Sequence, residues 1–340
     1  MRGFLDDRQA AHDPGHFIAA GVIRPSPEAP ARIGVLRAGA EAARLRLDPP
    51  GDAGAGPVEA IHTARYLEFL RTIHARWRTI EGASAEVIPN VHPASRSDSY
   101  PASAIGQAGF HQADTACPIS GETWGAAYWS AQCAIAAADA VAAGESAAYA
   151  LCRPPGHHAF ADLAGGFCFL NNAAIAAQRL LQAGRRPAIV DVDVHHGNGT
   201  QGIFYARDDV LTVSVHADPD DFYPFFWGHT HENGDGAGQG ANLNLPLPRG
   251  TGDAAYLDTL GAALDRVDAF AADTIVVALG LDAHVGDPFQ GLAVTTEGFA
   301  RIGAAIAATG LPLVLVQEGG YLSETLGQNL TSFLNGVQAG

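Results

Sequence analysis

Residues 187–196 read PAIVDVDVHH, and this stretch decides the fold class. Its first half is a near-continuous apolar run, which is typical of a strand buried on both faces of a parallel sheet. Its second half carries Asp191, Asp193 and His195 at alternate positions, which share one face of a strand. Buried carboxylates and imidazoles need a partner for their charge, and a divalent cation is the simplest one. The stretch therefore predicts a metal site at the end of a buried strand.

Similar apolar runs recur along the chain and alternate with helical patterns. The predicted strands are 147–152, 187–194, 210–216, 274–281 and 311–317. The predicted helices are 125–143, 171–183, 254–271, 296–309 and 322–336. This alternation indicates an α/β fold in which helices cover both faces of a mostly parallel sheet. Nothing between these elements has the composition of a linker, so we expect one domain over residues 1–340 with a Pro/Ser/Gly-rich insertion at 84–121.

Composition excludes several classes of protein. Among the 340 residues, 20 are basic and 36 acidic, so the formal charge of −16 disfavours a nucleic-acid partner. All the basic residues are Arg, which excludes a P-loop lysine and a Schiff-base lysine. The N-terminus is acidic where a signal peptide has an apolar run, so we do not expect export. The sequence has no apolar span of about 20 residues, so we expect no membrane partner. Four scattered cysteines without a C-x-x-C pair fit reduced thiols in a cytoplasmic protein.

Polar residues that can carry chemistry follow the predicted strands. Ligands in open α/β sheets bind beyond the carboxyl ends of the strands, so these residues should meet at one edge. Asp193, His195 and Asp282 would supply three protein ligands and leave a position open, as in catalytic zinc sites. The strand-end groups are Arg153 to His158, Asp191 to Asn198, His216, Asp282 with His284, and Glu318 to Tyr321.

Two further features point to acid–base chemistry beside this metal. His157 and His158 follow the rigid Pro-Pro-Gly turn, and adjacent imidazoles suit proton transfer near pH 7. Asp191, which the three-ligand metal site does not need, is free to orient one of them. Gly-Gly before Tyr321 permits a sharp turn that swings the phenol over the metal.

Taken together, these motifs resemble the zinc-dependent deacetylase superfamily, and the branch most similar is that of the bacterial acetylpolyamine amidohydrolases and deacetylase-like amidohydrolases. The resemblance implies the arginase–deacetylase fold over roughly residues 5–335. The motifs that carry it are RPPGHH at 153–158, GGFCFLNNAAIAA at 165–177, DVDVHHGNGTQ at 191–201, LGLDAH at 279–284 and QEGGY at 317–321.

The resemblance also implies roles for single residues. Asp193, His195 and Asp282 would bind Zn²⁺, with Fe²⁺ as an alternative metal. His157 and His158 would be the tandem histidines, with Asp191 behind His157, Asn198 behind His158 and Tyr321 as oxyanion donor. The walls of an acyl tunnel would be Gly166, Phe167, Tyr223 and Phe289. A structural K⁺ site would use Asp191, Asp193, His195, Ser214 and Val215.

The expected reaction is hydrolysis of a small acylated amine, such as an acetylpolyamine or an acetyl-lysine-like amide, by metal-activated water. Resemblance implies a homodimer built by the insertion. Ile105, Ala116 and Phe289 are apolar where a polyamine-selective tunnel mouth would be acidic, so we expect no strong polyamine preference. The acids available there are Asp98, Asp114 and Glu122.

Four alternatives are open. Other small neutral or aromatic amides would suit the same site. An arginase-like di-manganese hydrolase would share the fold, and a metal-binding sensor would share the scaffold without activity. Finally, Gly197 to Gly202 matches G-x-G-x-x-G after a strand, with Asp218 or Asp220 about 20 residues on, which is a weak dinucleotide fingerprint.

Overall fold

Eight parallel strands form the centre of the structure, a computed structural model that describes residues 1–96 and 99–340. The strands in chain order are β1 (Arg2–Phe4), β2 (His16–Ala19), β3 (Val22–Pro25), β4 (Leu47–Asp48), β5 (Ala147–Ala150), β6 (Pro187–Asp191), β7 (Leu211–Ala217), β8 (Asn242–Leu247), β9 (Thr274–Leu279) and β10 (Leu313–Gln317). The sheet order is β4-β1-β5-β10-β9-β6-β7-β8, and each neighbouring pair is parallel. Strands β2 and β3 form a separate antiparallel hairpin.

Helices cover both faces of this sheet. They are α1 (Ala31–Ala42), α2 (Gly56–Glu59), α3 (Ala64–Trp77), α4 (Ala104–His111), α5 (Thr123–Ala142), α6 (Asn172–Gln182), α7 (Asn198–Phe204), α8 (Asp253–Ala269), α9 (Thr296–Ala307) and α10 (Leu326–Ala339). Val276 of β9 packs in one core with Ile135 of α5, whereas its neighbour Val277 packs in the other core with Leu330 of α10. Apolar side chains on both faces of a strand are what a buried parallel sheet requires. The predicted fold class is confirmed.

No helix in the part of the chain that the structure describes is long and apolar enough to cross a membrane.

All five predicted strands and all five predicted helices are present, with ends shifted by up to four residues. The prediction that the strand continues to residue 194 was wrong, because β6 ends at Asp191. At Asp193 and His195 the backbone N–H groups donate to carboxylate side chains and not to a neighbouring strand. Asp193 N donates to Asp191 Oδ1 at 3.0 Å, and His195 N donates to Asp193 Oδ1 at 2.9 Å. Such local bonds compete with the ladder of a sheet. Asn171 caps α6 by accepting a hydrogen bond from Ala174 N.

Sequence patterns missed several elements. Strands β1 and β4 span only three and two residues, too few for a periodic signal. Strand β8, NLNLPL, lies at a sheet edge and mixes apolar residues with Asn and Pro, so it resembles the Gly/Pro-rich loop around it. The insertion 84–121, expected to be irregular, contains helix α4.

Helices α1 and α10 approach each other closely at Gly39. A methyl group at Gly39 would overlap the carbonyl of Gly327, whereas a methyl group at Gly34, exposed on the same helix, would meet no atom within 4 Å. We expect Gly39→Ala to lower the free energy of unfolding by about 1–3 kcal/mol through overpacking. Gly34→Ala is the control and should raise it by up to about 1 kcal/mol through helix propensity. Urea unfolding measures both, and shifts of the same sign would contradict this packing.

Candidate active site

The chemically active side chains collect at the carboxyl ends of β5, β10, β9 and β6, which are neighbours in the sheet. The turn after β5 carries the tandem histidines, and the turn after β6 carries Asp193 and His195. The ends of β9 and β10 contribute Asp282 and Tyr321. Parallel neighbours end at the same edge, so segments more than 100 residues apart in sequence meet in one site.

Asp193, His195 and Asp282 form a compact buried group. Their potential ligand atoms all lie within 4.8 Å of one another. His195 Nδ1 lies 3.1 Å from Asp193 Oδ1 and 3.3 Å from Asp282 Oδ2. Asp282 Oδ2 is buried and has no hydrogen-bond partner among the described residues. An unsatisfied buried carboxylate oxygen beside a second carboxylate and an imidazole is an arrangement that a divalent cation would stabilise.

The backbone holds these ligands in place. Asp193 Oδ2 accepts a hydrogen bond from Gly319 N at 2.8 Å, and Asp282 Oδ1 accepts one from Val194 N at 3.0 Å. Burial by itself lowers the pKa of His195, but Asp193 and Asp282 outweigh burial and raise the pKa to about 9. Without a metal a proton on His195 therefore offsets part of the negative charge, and a bound cation would release it.

The tandem histidines have different partners. His157 Nδ1 lies 2.9 Å from Asp191 Oδ2, and His158 Nδ1 lies 2.7 Å from Asn198 Oδ1. Their ring centroids are 4.0 Å apart. Since the amide oxygen of Asn198 can only accept a hydrogen bond, Nδ1 of His158 donates, and in the neutral imidazole the Nε2 atom carries the lone pair.

The different surroundings of the two imidazoles shift their pKa values in opposite directions. Burial lowers the pKa of His157, but Asp193 and Asp191 outweigh burial and raise the pKa to about 10. Burial, reinforced by the positive charges of His157 and His195, lowers the pKa of His158 well below its usual value. His158 is therefore the neutral imidazole that can accept a proton, and His157 is the cationic one.

Glu318 and Arg32 anchor the turns that carry these groups, and sequence reasoning assigned neither a role. Glu318 Oε2 accepts hydrogen bonds from Gly156 N at 2.6 Å and His157 N at 3.1 Å. Arg32 donates to Gly320 O at 2.6 Å and Glu318 O at 2.8 Å. The sequence signals for Glu318 are its place directly after a buried strand and its position in the QEGGY motif. Arg32 has no comparable signal, because its partners lie about 290 residues away.

Tyr321 stands among aromatic side chains. Its ring centroid is 4.9 Å from that of Phe289 and 5.8 Å from that of Phe167. Its backbone N donates to Asp287 Oδ2 at 3.1 Å. Among the described residues nothing hydrogen-bonds the Tyr321 hydroxyl, which leaves that donor available to a ligand.

The four residues expected in the tunnel wall surround the same space. The Tyr223 ring is 4.9 Å from that of His158, and the Phe289 ring is 5.3 Å from that of His195. Gly166 lies so close to the His158 ring that a Cβ atom there would overlap it. The wall is thus apolar and aromatic on several sides, which suits a short acyl chain.

Asp114 does not act as a free acid at the tunnel mouth. Its Oδ2 atom accepts hydrogen bonds from the Tyr223 hydroxyl at 2.6 Å and from Gly166 N at 3.1 Å, while Oδ1 accepts one from Ala116 N at 2.8 Å. The insertion therefore uses Asp114 to hold two tunnel residues. Glu122 is exposed at the start of α5, and Asp98 lies outside the described residues.

Other residues singled out in the sequence lie away from the ligand group. Ser214 sits opposite Asp191 in the β6–β7 register, and both line a cavity of about 10 Å³. Its Oγ contacts His216 Nδ1 at 2.8 Å, so His216 is engaged there. His284 Nδ1 accepts from Gly286 N at 3.0 Å. These histidines were expected near the site but have structural partners.

The glycines of the 197–202 fingerprint pack against protein atoms. Cβ atoms at Gly197, Gly199 and Gly202 would overlap Asp191, the Ala159 backbone and the Phe160 ring, respectively. The cavity that adjoins Gly197 has a volume of about 10 Å³, which is far too small for a pyrophosphate, so the loop does not support the dinucleotide alternative.

Comparison with known proteins extends the likeness over the whole chain. The histone deacetylase domain model matches residues 26–337. An acetylpolyamine amidohydrolase of Burkholderia pseudomallei (strain 1710b) is 47% identical over 340 residues, covering 100% of this chain and 99% of that protein. Acetylpolyamine amidohydrolase 1 of Pseudomonas aeruginosa is 43% identical over 343 residues, covering 99% of each. A crystal structure of acetylpolyamine aminohydrolase from Burkholderia pseudomallei (iodide soak) has a TM-score of 0.96 at 46% identity, covering 100% of this chain and 99% of that one.

The bond between Asp114 and Tyr223 gives a stability test that needs no substrate. A hydrogen bond to a carboxylate contributes about 1.5–3 kcal/mol, so Tyr223→Phe and Asp114→Ala should each lower the free energy of unfolding. Because both remove the same bond, the double variant should lose less than the sum, with a coupling of at least about 0.5 kcal/mol. Urea unfolding of the four proteins measures this coupling, and additive losses would contradict the bond.

Proposed function

The chain belongs to the histone deacetylase domain family, and from this membership and its site we propose that it is a metal-dependent amidohydrolase that removes acetyl or other small acyl groups from amines. The observation that carries the proposal is the convergence of a buried Asp–His–Asp group, two differently paired histidines and an unpartnered tyrosine hydroxyl. These are the parts that metal-assisted hydrolysis of an amide requires.

Zinc fits the residues present, with Fe²⁺ as the alternative. Asp193, His195 and Asp282 would hold it, and Oδ2 of Asp282 supplies an oxygen that has no hydrogen-bond partner among the described residues. When bound, zinc supplies a Lewis acid that polarises an acyl carbonyl and lowers the pKa of a water molecule.

The chain's own residues would divide the remaining work. His158, neutral and with a free Nε2, would take the proton from the water and later deliver one to the leaving amine. His157, cationic and paired with Asp191, would stabilise developing negative charge. The Tyr321 hydroxyl would donate to the acyl oxygen as it becomes an oxyanion.

Two other activities have less support. A di-manganese hydrolase needs a second carboxylate-rich group, and residues 1–96 and 99–340 contain no such group next to the first. A sensor on an inactive scaffold would lack a catalytic part, whereas His157, His158 and Tyr321 are all present.

The substrate we propose is a small acylated amine. Full-length relatives named acetylpolyamine amidohydrolase support acetylated diamines and polyamines as candidates. The apolar wall and the engagement of Asp114 support broad activity that includes neutral and aromatic amides. A structural K⁺ ion near Asp191 and Ser214 and a homodimer built by the insertion remain predictions.

Metal analysis tests the ligand assignment independently of any substrate. We expect about one Zn²⁺ or Fe²⁺ per chain, and loss of that metal in Asp193→Ala, His195→Ala and Asp282→Ala, since each removes one of three ligands. Asp265→Ala, which alters an exposed carboxylate on α8, is the matched control and should retain it. A metal-free wild type, or two Mn²⁺ per chain, would contradict the proposal.

The role of the Tyr321 hydroxyl can be separated from metal binding. Removing one oxyanion donor typically lowers turnover about 10²–10³-fold, so Tyr321→Phe should show a loss of that size in kcat with unchanged metal content. Tyr128→Phe, which removes a hydroxyl that donates to Asp52, is the control and should keep full turnover. Near-normal activity of the Tyr321 variant would exclude it as the oxyanion donor.

Substrate breadth follows from the aromatic side chains around His158 and from Asp114, whose carboxylate is already hydrogen-bonded. We expect kcat/KM for acetylputrescine to lie within a thousandfold, or about 4 kcal/mol, of that for an acetyl-lysine anilide. Adding a carboxylate with Ile105→Glu or Ala116→Glu should shift the ratio toward the polyamine, whereas Ile105→Gln should not. A wild-type polyamine preference above a thousandfold would contradict broad activity.

A further inference from the structure

A second group of potential metal ligands adjoins the first. His157, Cys168 and Glu318 are each at most 2% exposed, and one nitrogen, one sulfur and one oxygen atom from them lie within 4.8 Å of one another. His157 takes part in the proposed hydrolysis, but Cys168 and Glu318 have no role in proton transfer there. Of the groups found in the described residues, only this one contains a thiol.

Glu318 has a buried oxygen that lacks a partner. Oε2 is occupied by the backbone N–H groups of Gly156 and His157, but Oε1 has no hydrogen-bond partner among the described residues. A buried carboxylate oxygen without a donor is unfavourable, so this atom is one that a cation would satisfy.

The side chains of His157 and Cys168 also offer atoms that can bind a cation. Asp191 accepts a hydrogen bond from the Nδ1 atom of His157, so Nε2 is the nitrogen that can bind a metal once its proton is released. A carboxylate behind the second ring nitrogen is the usual support of a metal-binding histidine. Cys168 Sγ donates to Gly166 O at 3.4 Å, a long and weak hydrogen bond that a bound metal would replace.

We propose that His157 Nε2, Cys168 Sγ and Glu318 form a second, inhibitory site for a soft divalent cation such as Zn²⁺, Cd²⁺ or Co²⁺. Nitrogen, sulfur and carboxylate donors together favour these ions over Mg²⁺ or Ca²⁺. On binding, the Cys168 thiol and the protonated Nε2 atom of His157 each release a proton to solvent. The thiolate sulfur, the imidazole nitrogen and a Glu318 carboxylate oxygen then bond to the metal. The two released protons offset the two positive charges of the cation, and no electron transfer is involved.

A cation bound at this second site would prevent His157 and His158 from taking part together in the hydrolysis. His157 Nε2 lies 3.9 Å from Asp193 Oδ1, so the second cation would be a close neighbour of the first metal. By binding Nε2 it would withdraw His157 from the hydrolysis, so that the imidazole next to His158 would no longer be the cation that stabilises developing negative charge. Inhibition by excess metal rests on the proposed function, whereas binding at the second site does not.

Cobalt spectroscopy tests binding without reference to activity. Asp193, His195 and Asp282 contain no sulfur, so a thiolate-to-cobalt charge-transfer band can arise only from a cysteine. We expect this band when Co²⁺ is titrated into protein as purified with its first metal. It should disappear in Cys168→Ser and persist in Cys152→Ser, which alters another fully buried cysteine. No band in the wild type, or an undiminished band in Cys168→Ser, would overturn the site.

Glu318→Gln tests the site without touching the thiol, in case Cys168→Ser fails to fold. It keeps the shape of the side chain but removes the charge, so cobalt should bind at least tenfold more weakly. Unchanged cobalt affinity would exclude Glu318 as a ligand and overturn the proposed donor set.

Zinc titration of activity tests the inhibition. Each protein is compared with its own activity at one equivalent of zinc, and wild type should lose activity as free zinc rises. Cys168→Ser should need at least tenfold more zinc for the same loss, and Cys152→Ser should behave like wild type. Equal sensitivity of the two variants would overturn the inhibitory role. If no acylated amine is hydrolysed at all, the proposed function fails while the cobalt band still reports the second site.

Discussion

Four buried carboxylates at one edge of a parallel sheet impose the constraint on which the site depends. Asp191, Asp193, Asp282 and Glu318 are each at most 3% exposed, and none has a lysine or arginine as ion-pair partner among the described residues. Imidazoles and backbone N–H groups stabilise them instead. The donors are Asp193 N, His195 N, Val194 N, Gly319 N, Gly156 N and His157 N. Since several of these bonds join different strand ends, satisfying the charges also positions the loops.

A buried ion-pair network extends this constraint away from the sheet edge. Glu28 Oε1 lies 2.8 Å from the guanidinium groups of both Arg32 and Arg153. Arg32 then holds the turn before Tyr321 by donating to two carbonyl oxygens. Removing one member of a buried ion-pair network leaves uncompensated charge, so such networks are costly to disturb. The segment before α1 therefore helps to orient a tyrosine about 290 residues later.

The tunnel wall shows how a surface insertion becomes part of the site. Asp114 belongs to the insertion, yet its carboxylate holds Tyr223 and Gly166. Both contact the imidazole of His158, through the Tyr223 ring and through the close approach of Gly166. The chain thus uses an acidic residue to position an aromatic side chain and a backbone segment beside His158.

Sequence patterns alone predicted the parallel α/β sheet, because runs such as TIVVAL at 274–279 are apolar on both faces. They also predicted that Asp193, His195 and Asp282 lie close together, since polar residues directly after buried parallel strands meet at one edge of the sheet. The partners of the other polar residues around the site became apparent only from the tertiary structure. No hydrophobic periodicity indicates the hydrogen-bond partners of Glu318, Asp114 and His216, which lie at strand ends or in loops. Those partners come from other segments of the chain. Local periodicity reports which face of an element is buried, but it carries no information about which distant loop folds over it.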